Sequence, residues 1–135
     1  MSLKQLLDLS GRVAVVTGGS RGLGLQMAEA LGEMGAKLAL TARKKADLDD
    51  AVAHLARSGI EASGWVCDAG KREQIPTVVD AILAQYCKID VLVSNAGATW
   101  GAPAEDHPLE GWDKLLAVNM TGAFVVCQQV AKKAM

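Results

Sequence analysis

Neither sign of charge dominates this chain: 14 lysines and arginines stand against 15 aspartates and glutamates among 135 residues, for a net charge of −1. That balance excludes the basic surplus of a nucleic-acid binder, and charge implies no partner. Long apolar runs are also missing. None approaches the ~20 residues needed to cross a bilayer, and the opening Met1-Ser2-Leu3-Lys4-Gln5-Leu6-Leu7-Asp8 is too short and interrupted for a signal peptide. A cytoplasmic protein with no membrane partner is expected. Cys67, Cys87 and Cys127 are odd in number, far apart and without Cys-x-x-Cys spacing. They read as small buried hydrophobes of a reducing compartment, not as disulfides or zinc ligands. His54 and His107 have no second ligand-type residue at chelating spacing, so both are expected in solvent and no metal site is predicted.

What the chain does have is apolar residues in alternating strand and helix rhythm. Half of its residues are hydrophobic, enough for a single domain spanning residues 1–135, since a compact chain of this size buries roughly two-thirds of its unfolded surface. Val13–Thr17, Lys37–Thr41, Gly64–Cys67 and Ile89–Val93 are short runs that read as strands, the first and last nearly continuous in aliphatic residues. Between them, Leu23, Met27, Leu31 and Met34 recur at helical spacing. So do Leu48, Val52 and Leu55, and then Ile75, Val78, Val79, Ile82, Leu83 and Tyr86, each set one apolar stripe. Gly35 and Gly59 fall where the first two of these helices should end, and Asp68 where the third could be capped. The alternation, with right-handed crossovers, predicts an α/β fold: a Rossmann-type doubly wound parallel sheet. From Leu109 to Met135 the apolar residues cover more than one stripe, which predicts a long helix buried on several sides. The chain then stops without a cap or a further strand, so the sheet is read as truncated after its fourth strand and the helix that follows.

The densest signal lies at the end of the first strand. Thr17-Gly18-Gly19-Ser20-Arg21-Gly22-Leu23-Gly24 puts three closely spaced glycines, Gly18, Gly22 and Gly24, where a strand turns into a helix. A helix N-terminus offers free N–H groups and about half a positive charge, and glycines let a pyrophosphate approach the backbone. Gly18, Gly22 and Gly24, with Gly19 beside the first, cost backbone entropy that an ordinary tight connection rarely justifies. Ser20 and Arg21 add side-chain donors for phosphate oxygens.

Together with Asp68 closing the third strand, Asn95-Ala96-Gly97 after the fourth and Asn119 in the long helix, the pattern Thr17-Gly18-x-x-x-Gly22-x-Gly24 resembles the short-chain dehydrogenase/reductase family. The stretch from Gly97 to Pro103 is similar to its gluconate 5-dehydrogenase-like and 3-oxoacyl reductase-like members. The resemblance implies an oxidoreductase that moves hydride between a nicotinamide dinucleotide and a small carbonyl or alcohol substrate. It further implies that Leu23 faces the nicotinamide side of the pyrophosphate, that Asp68 accepts from the adenine amino group, and that Asn95, Ala96 and Gly97 let the adenosine ribose approach. Asp68 reads equally well as a plain N-cap. Asn119 is the one catalytic residue the resemblance places, at a helix distortion where it holds a water leading to a catalytic lysine. The family's Ser and Tyr-x-x-x-Lys do not occur within these residues: the only tyrosine is Tyr86, on an apolar stripe. The chain is therefore expected to carry the cofactor-binding half, inactive alone, and to form a homodimer or homotetramer through the helix around 109–135.

Arg43 selects the cofactor within that reading. Family members that bind NAD carry an acidic residue near the end of the second strand for the ribose 2′-OH, whereas here the sequence reads Leu40-Thr41-Ala42-Arg43-Lys44-Lys45. NADP is expected over NAD. Trp100 follows the fourth strand, either at the entrance for substrate or covering an apolar patch. Two other readings remain at this point: a Rossmann methyltransferase, which would want an acid where Arg43 stands, and a non-catalytic nucleotide sensor or interaction protein.

Overall fold

All five residues of β1 (Val13–Thr17) are buried, as a strand covered on both faces must be. The computed structural model describes residues 1–135. Around β1 it arranges a short α1 (Leu3–Leu6), α2 (Gly22–Glu33), β2 (Lys37–Ala42), α3 (Lys45–Arg57), β3 (Ala62–Val66), α4 (Gln74–Tyr86) and β4 (Val91–Val93). A 3-10 turn (Ala104–Asp106), α5 (Leu109–Leu116), a π turn (Ala117–Gly122) and α6 (Ala123–Ala134) complete the chain. The four strands are parallel in the order β3-β2-β1-β4. The chain thus works outward from β1 to β3 and returns to the other side of β1, which places the reversal of strand order between β1 and β4. In such sheets a crevice opens at that point, beyond the carboxyl ends of the strands.

Alternate residues of the central strands feed two cores. Ala14, Val16, Leu38 and Leu40 meet Ala28 of α2 and Leu48, Ala51 and Leu55 of α3 on one face. On the other, Val15 and Ala39 meet Ile75, Val79 and Ile82 of α4 and Val126 and Val130 of α6. Each buried Leu, Ile or Val contributes about 1.5–3 kcal/mol by leaving water, so both helical layers are tied firmly to the sheet. The helices after β1 and β2 end as the glycines predict. Gly35 and Gly59 have φ of 101° and 73°, with Gly35 N–H on the Gly32 carbonyl, Ala36 N–H on Leu31, and the same pair of bonds from Gly59 to Ala56 and Ile60 to Leu55.

Several expectations shift. β3 begins at Ala62 instead of Gly64, because its parallel pairing with β2 starts at Leu38, and β4 is shorter, starting at Val91. Three residues of the expected α2 stripe face outward: Leu23, Met27 and Met34 are exposed while Gly24 and Ala28 are buried. The inward face is shared by these small residues and by Leu25 and Leu31, which pack partly buried against the core. Asp68 does not cap α4, which starts at Gln74 with Glu73 before it. It accepts instead from the N–H of Gly70 at 2.9 Å, shaping the loop after β3. Of the three cysteines only Cys67 is buried; Cys87 and Cys127 are exposed, since Cys87 ends α4 at φ 64° and Cys127 lies off the buried line of α6. The long helix is interrupted, and its buried line is narrow: Val126 and Val130 are covered while Met120 and Phe124 are exposed. No helix is long and apolar enough to cross a membrane.

Candidate functional site

The crevice between β1 and β4 is built by the loops that leave the carboxyl ends of the strands. After Thr17 the chain turns at Gly18, whose φ is 65°. The N–H groups of Gly18 and Gly19 both donate to the Thr41 carbonyl, at 2.8 and 3.2 Å, which fixes the turn against the end of β2. α2 then begins at Gly22 with Arg21 preceding it and no side chain capping it. Its first N–H groups therefore have no intrahelical acceptor, and Gly22, Leu23 and Gly24 line the cleft, the arrangement that favours an anion. A Cβ on Gly24 would collide with the Gly18 carbonyl and stand 2.6 Å from Asn95 Nδ2. Only glycine lets the helix come this near the turn.

Two side chains stitch the glycine turn to the loop after β4. The hydroxyl of Thr17 accepts from the N–H groups of Asn95 at 2.9 Å and Ala96 at 3.0 Å, and donates to the Val93 carbonyl at 3.4 Å. Asn95 Nδ2 donates to the carbonyls of Thr17 and Gly18 at 3.1 and 3.3 Å. Asn95 and Ala96 thus lie close against the glycine turn, where a Cβ on Gly18 would stand 3.0 Å from Asn95 Nδ2 and 3.1 Å from Ala96 Cα. Thr17 carries no sequence signal for this task, because a threonine ending a strand is ordinary.

The helix that follows supplies the remaining wall. In the π turn, Gly122 packs against the Ala69 carbonyl so closely that a Cβ would overlap it. Val118 meets Gly70. Asn119 pairs with the backbone of one residue: its Oδ1 accepts from Ala98 N–H at 2.8 Å and its Nδ2 donates to Ala98 O at 2.9 Å. Each polar end of the amide thus contributes one bond that holds the β4 loop. Asn119 does sit at a helix distortion, and its side chain acts there as a strut. Trp100 packs on Gly111 of α5, which favours its reading as a cover for the helix.

The cleft enclosed by these loops holds about 820 Å3. Every cofactor-binding residue expected from the sequence lines it, from Gly18 through Leu23 and Arg43 to Asp68 and Gly97. Asn119 is not among its lining residues. The sequence reading missed Thr99, Lys71, Lys114 and Val118, which also line it; for Lys114 the available hint was that it lies one helical turn before Val118, hence on the same face. Five cations (Arg21, Arg43, Lys44, Lys71, Lys114) share the lining with two carboxylates, Asp47 and Asp68, on a chain whose net charge is −1. The cleft is therefore a local positive field on a slightly acidic protein, suited to an anionic ligand. Cys67 touches the cleft floor, but burial, aided by the charge of Asp68, pushes its thiol above the ordinary range. It remains protonated and unreactive. No group of His, Cys, Asp and Glu is placed to hold a metal ion.

Comparison with known proteins agrees with this geometry. The family model for short chain dehydrogenases matches residues 12–135. Gluconate 5-dehydrogenase of Gluconobacter oxydans is 38% identical over 132 residues, which cover 98% of this chain and 52% of that protein. A metagenomic short-chain oxidoreductase solved in complex with NADP superposes with a TM-score of 0.88 at 38% identity, covering 93% of this chain and 57% of the other. An NAD+-bound xylitol dehydrogenase superposes equally well, at 35% identity over 93% of this chain and 48% of that one. The chain spans about half the length of the curated relatives it matches. A four-stranded parallel sheet, a glycine turn at its switch point and a family match over all but the first eleven residues together assign this chain to the short chain dehydrogenase family.

Proposed function

We propose that the cleft binds NADP(H), and that the protein to which these residues belong transfers hydride between that cofactor and a carbonyl or alcohol substrate. The observation that carries the cofactor choice is the end of β2, where Ala42 leads directly into exposed Arg43 and Lys44 at the cleft rim. No carboxylate occupies positions 42–45 to accept from a ribose 2′-OH, and Asp47, which lines the same cleft, forms no ion pair with Arg43. The fit of a dinucleotide rests on the turn itself: uncapped N–H groups at the start of α2, and a close approach that a Cβ at Gly24 would block. The bound cofactor would supply the hydride. Gly18 through Gly24 would hold its pyrophosphate, Ser20 and Arg21 would donate to phosphate oxygens, and Arg43 would meet the 2′-phosphate. Asp68 and the backbone around Ala96 would flank the adenosine. Relatives of similar fold carry either nicotinamide cofactor, so the discrimination falls to Arg43.

A charge-assisted bond of about 1.5–3 kcal/mol corresponds to roughly 10- to 150-fold in affinity. Arg43→Asp should therefore weaken NADPH binding by that factor and leave NADH binding nearly unchanged, measured by fluorescence titration of both nucleotides. Equal losses would remove Arg43 from the 2′ position. Because these residues contain no Tyr-x-x-x-Lys, the 135-residue chain should bind nucleotide without turning over a carbonyl substrate; robust turnover by a verified chain of this length would overturn that reading.

A further inference from the structure

Of the five cations lining the cleft, one is held by a neighbouring side chain. Lys114 places its Nζ 5.7 Å from the centroid of the Trp100 ring, within the range at which an ammonium is attracted to an aromatic face. The other four make no ion pair or side-chain hydrogen bond. Trp100 is itself pinned. Its ring atoms Cδ2, Cγ and Cε2 lie 2.7, 2.8 and 3.0 Å from where a Cβ of Gly111 would stand, so the indole fills space that any other residue at 111 would occupy. Two residues earlier, Ala98 is fastened by both ends of the Asn119 amide. The loop after β4 is thus attached to one helix at two places, and Lys114 lies between them on the helix.

We propose that Trp100 is a positioning residue for Lys114: it fixes the ammonium at the cleft rim as a standing positive charge for the phosphates of a bound nucleotide. The proposal rests on the nucleotide reading of the cleft. A lysine on a flexible stem loses rotamer freedom when a ligand immobilises it. A ring that has already restricted the stem lowers that loss, which is how preorganisation raises affinity.

The test is a double-variant cycle on NADPH affinity in the 135-residue chain, read by nucleotide fluorescence at low and high salt, with a thermal midpoint for every variant. Lys114→Gln and Trp100→Ala should each weaken NADPH about two- to fivefold at low salt, and the pair together should cost no more than the larger single loss. Trp100→Phe should keep most of the affinity, because a phenyl face still attracts the ammonium. High salt should shrink the Lys114→Gln effect. Additive losses, or unchanged affinity in either single variant, would overturn the proposal. If Trp100→Ala does not fold, Trp100→Phe combined with Lys114→Gln still decides it: Lys114→Gln without effect in either background sinks the idea. Failure of the unaltered chain to bind NADPH would end the nucleotide reading and this proposal with it, whereas binding with uncoupled variants would end this proposal alone.

Discussion

The two rims of the sheet treat charge in opposite ways. At the amino rim every cation near a strand start has a partner. Asp90 accepts from Arg12 Nη1 at 3.1 Å and pairs with Lys88 at 3.3 Å, and Lys37 pairs with Glu61 across the starts of β2 and β3. Asp90 also takes the N–H of Val13 at 2.9 Å, so its carboxylate helps set where β1 begins. At the carboxyl rim, Arg21, Arg43, Lys44, Lys71 and Lys114 share a cleft with only two carboxylates, and none of the five forms an ion pair. Paired charges fix strand ends and cancel their own field; unpaired ones leave a field for a ligand to neutralise. One rim serves the fold and the other serves binding.

The contrast breaks most severely at the carboxyl rim. Gly24→Val inserts a side chain where the Gly18 carbonyl stands. It should abolish NADPH binding and cost about 1–3 kcal/mol of stability by overpacking, read from a titration and a denaturation midpoint. A smaller effect is expected from Asn119→Ala, which leaves the N–H and carbonyl of Ala98 without their partner. Because that region is partly open to water, the loss should be about 1 kcal/mol, seen as faster amide exchange at Ala98 and a lowered midpoint.

The smallest effect at neutral pH belongs to the amino rim, where Asp90→Asn keeps one acceptor oxygen for Val13 and gives up the charge together with the second oxygen that meets Arg12. The Val13 N–H foremost, then Arg12 and Lys88, hold the Asp90 carboxyl below its ordinary range. Its folded value lies under its unfolded one, so its stabilisation is fully present above the unfolded value and is lost as pH falls through the folded one. Acid titration of stability should accordingly show a decline below about pH 4 that is shallower in Asp90→Asn. Identical acid limbs in the two proteins would mean that the carboxylate contributes nothing to the pH dependence.

The parts of this architecture that depend on periodicity and on backbone chemistry were legible in the sequence. Val13–Thr17 reads as a buried strand, Gly35 and Gly59 as helix ends, and the glycines after Thr17 as a place of close approach, because each reflects a local rule. What escaped depends on distance in space. Leu23, Met27, Leu31 and Met34 read as one core stripe, yet of the four only Leu31 packs on the core, beside Leu25, Gly24 and Ala28. Asp68 has the chemistry of a helix cap and is used by Gly70 instead. The hydroxyl of Thr17 joins segments 78 and 79 residues apart, the seat of Trp100 on Gly111 joins a loop to the helix after it, and no spacing announces either.

The π turn at 117–122 has a consequence for how one helix divides its labour. A regular helix advances about 100° per residue, so every extra residue held within a turn rotates whatever follows relative to whatever precedes. Ahead of that wide turn Lys114 lines the rim, and Val118 lines it from within the turn; behind it, Val126 and Val130 look into the core beneath the sheet. Deleting a single residue there would swing these two faces out of phase, so that either the rim or the interior would keep its neighbours, and not both.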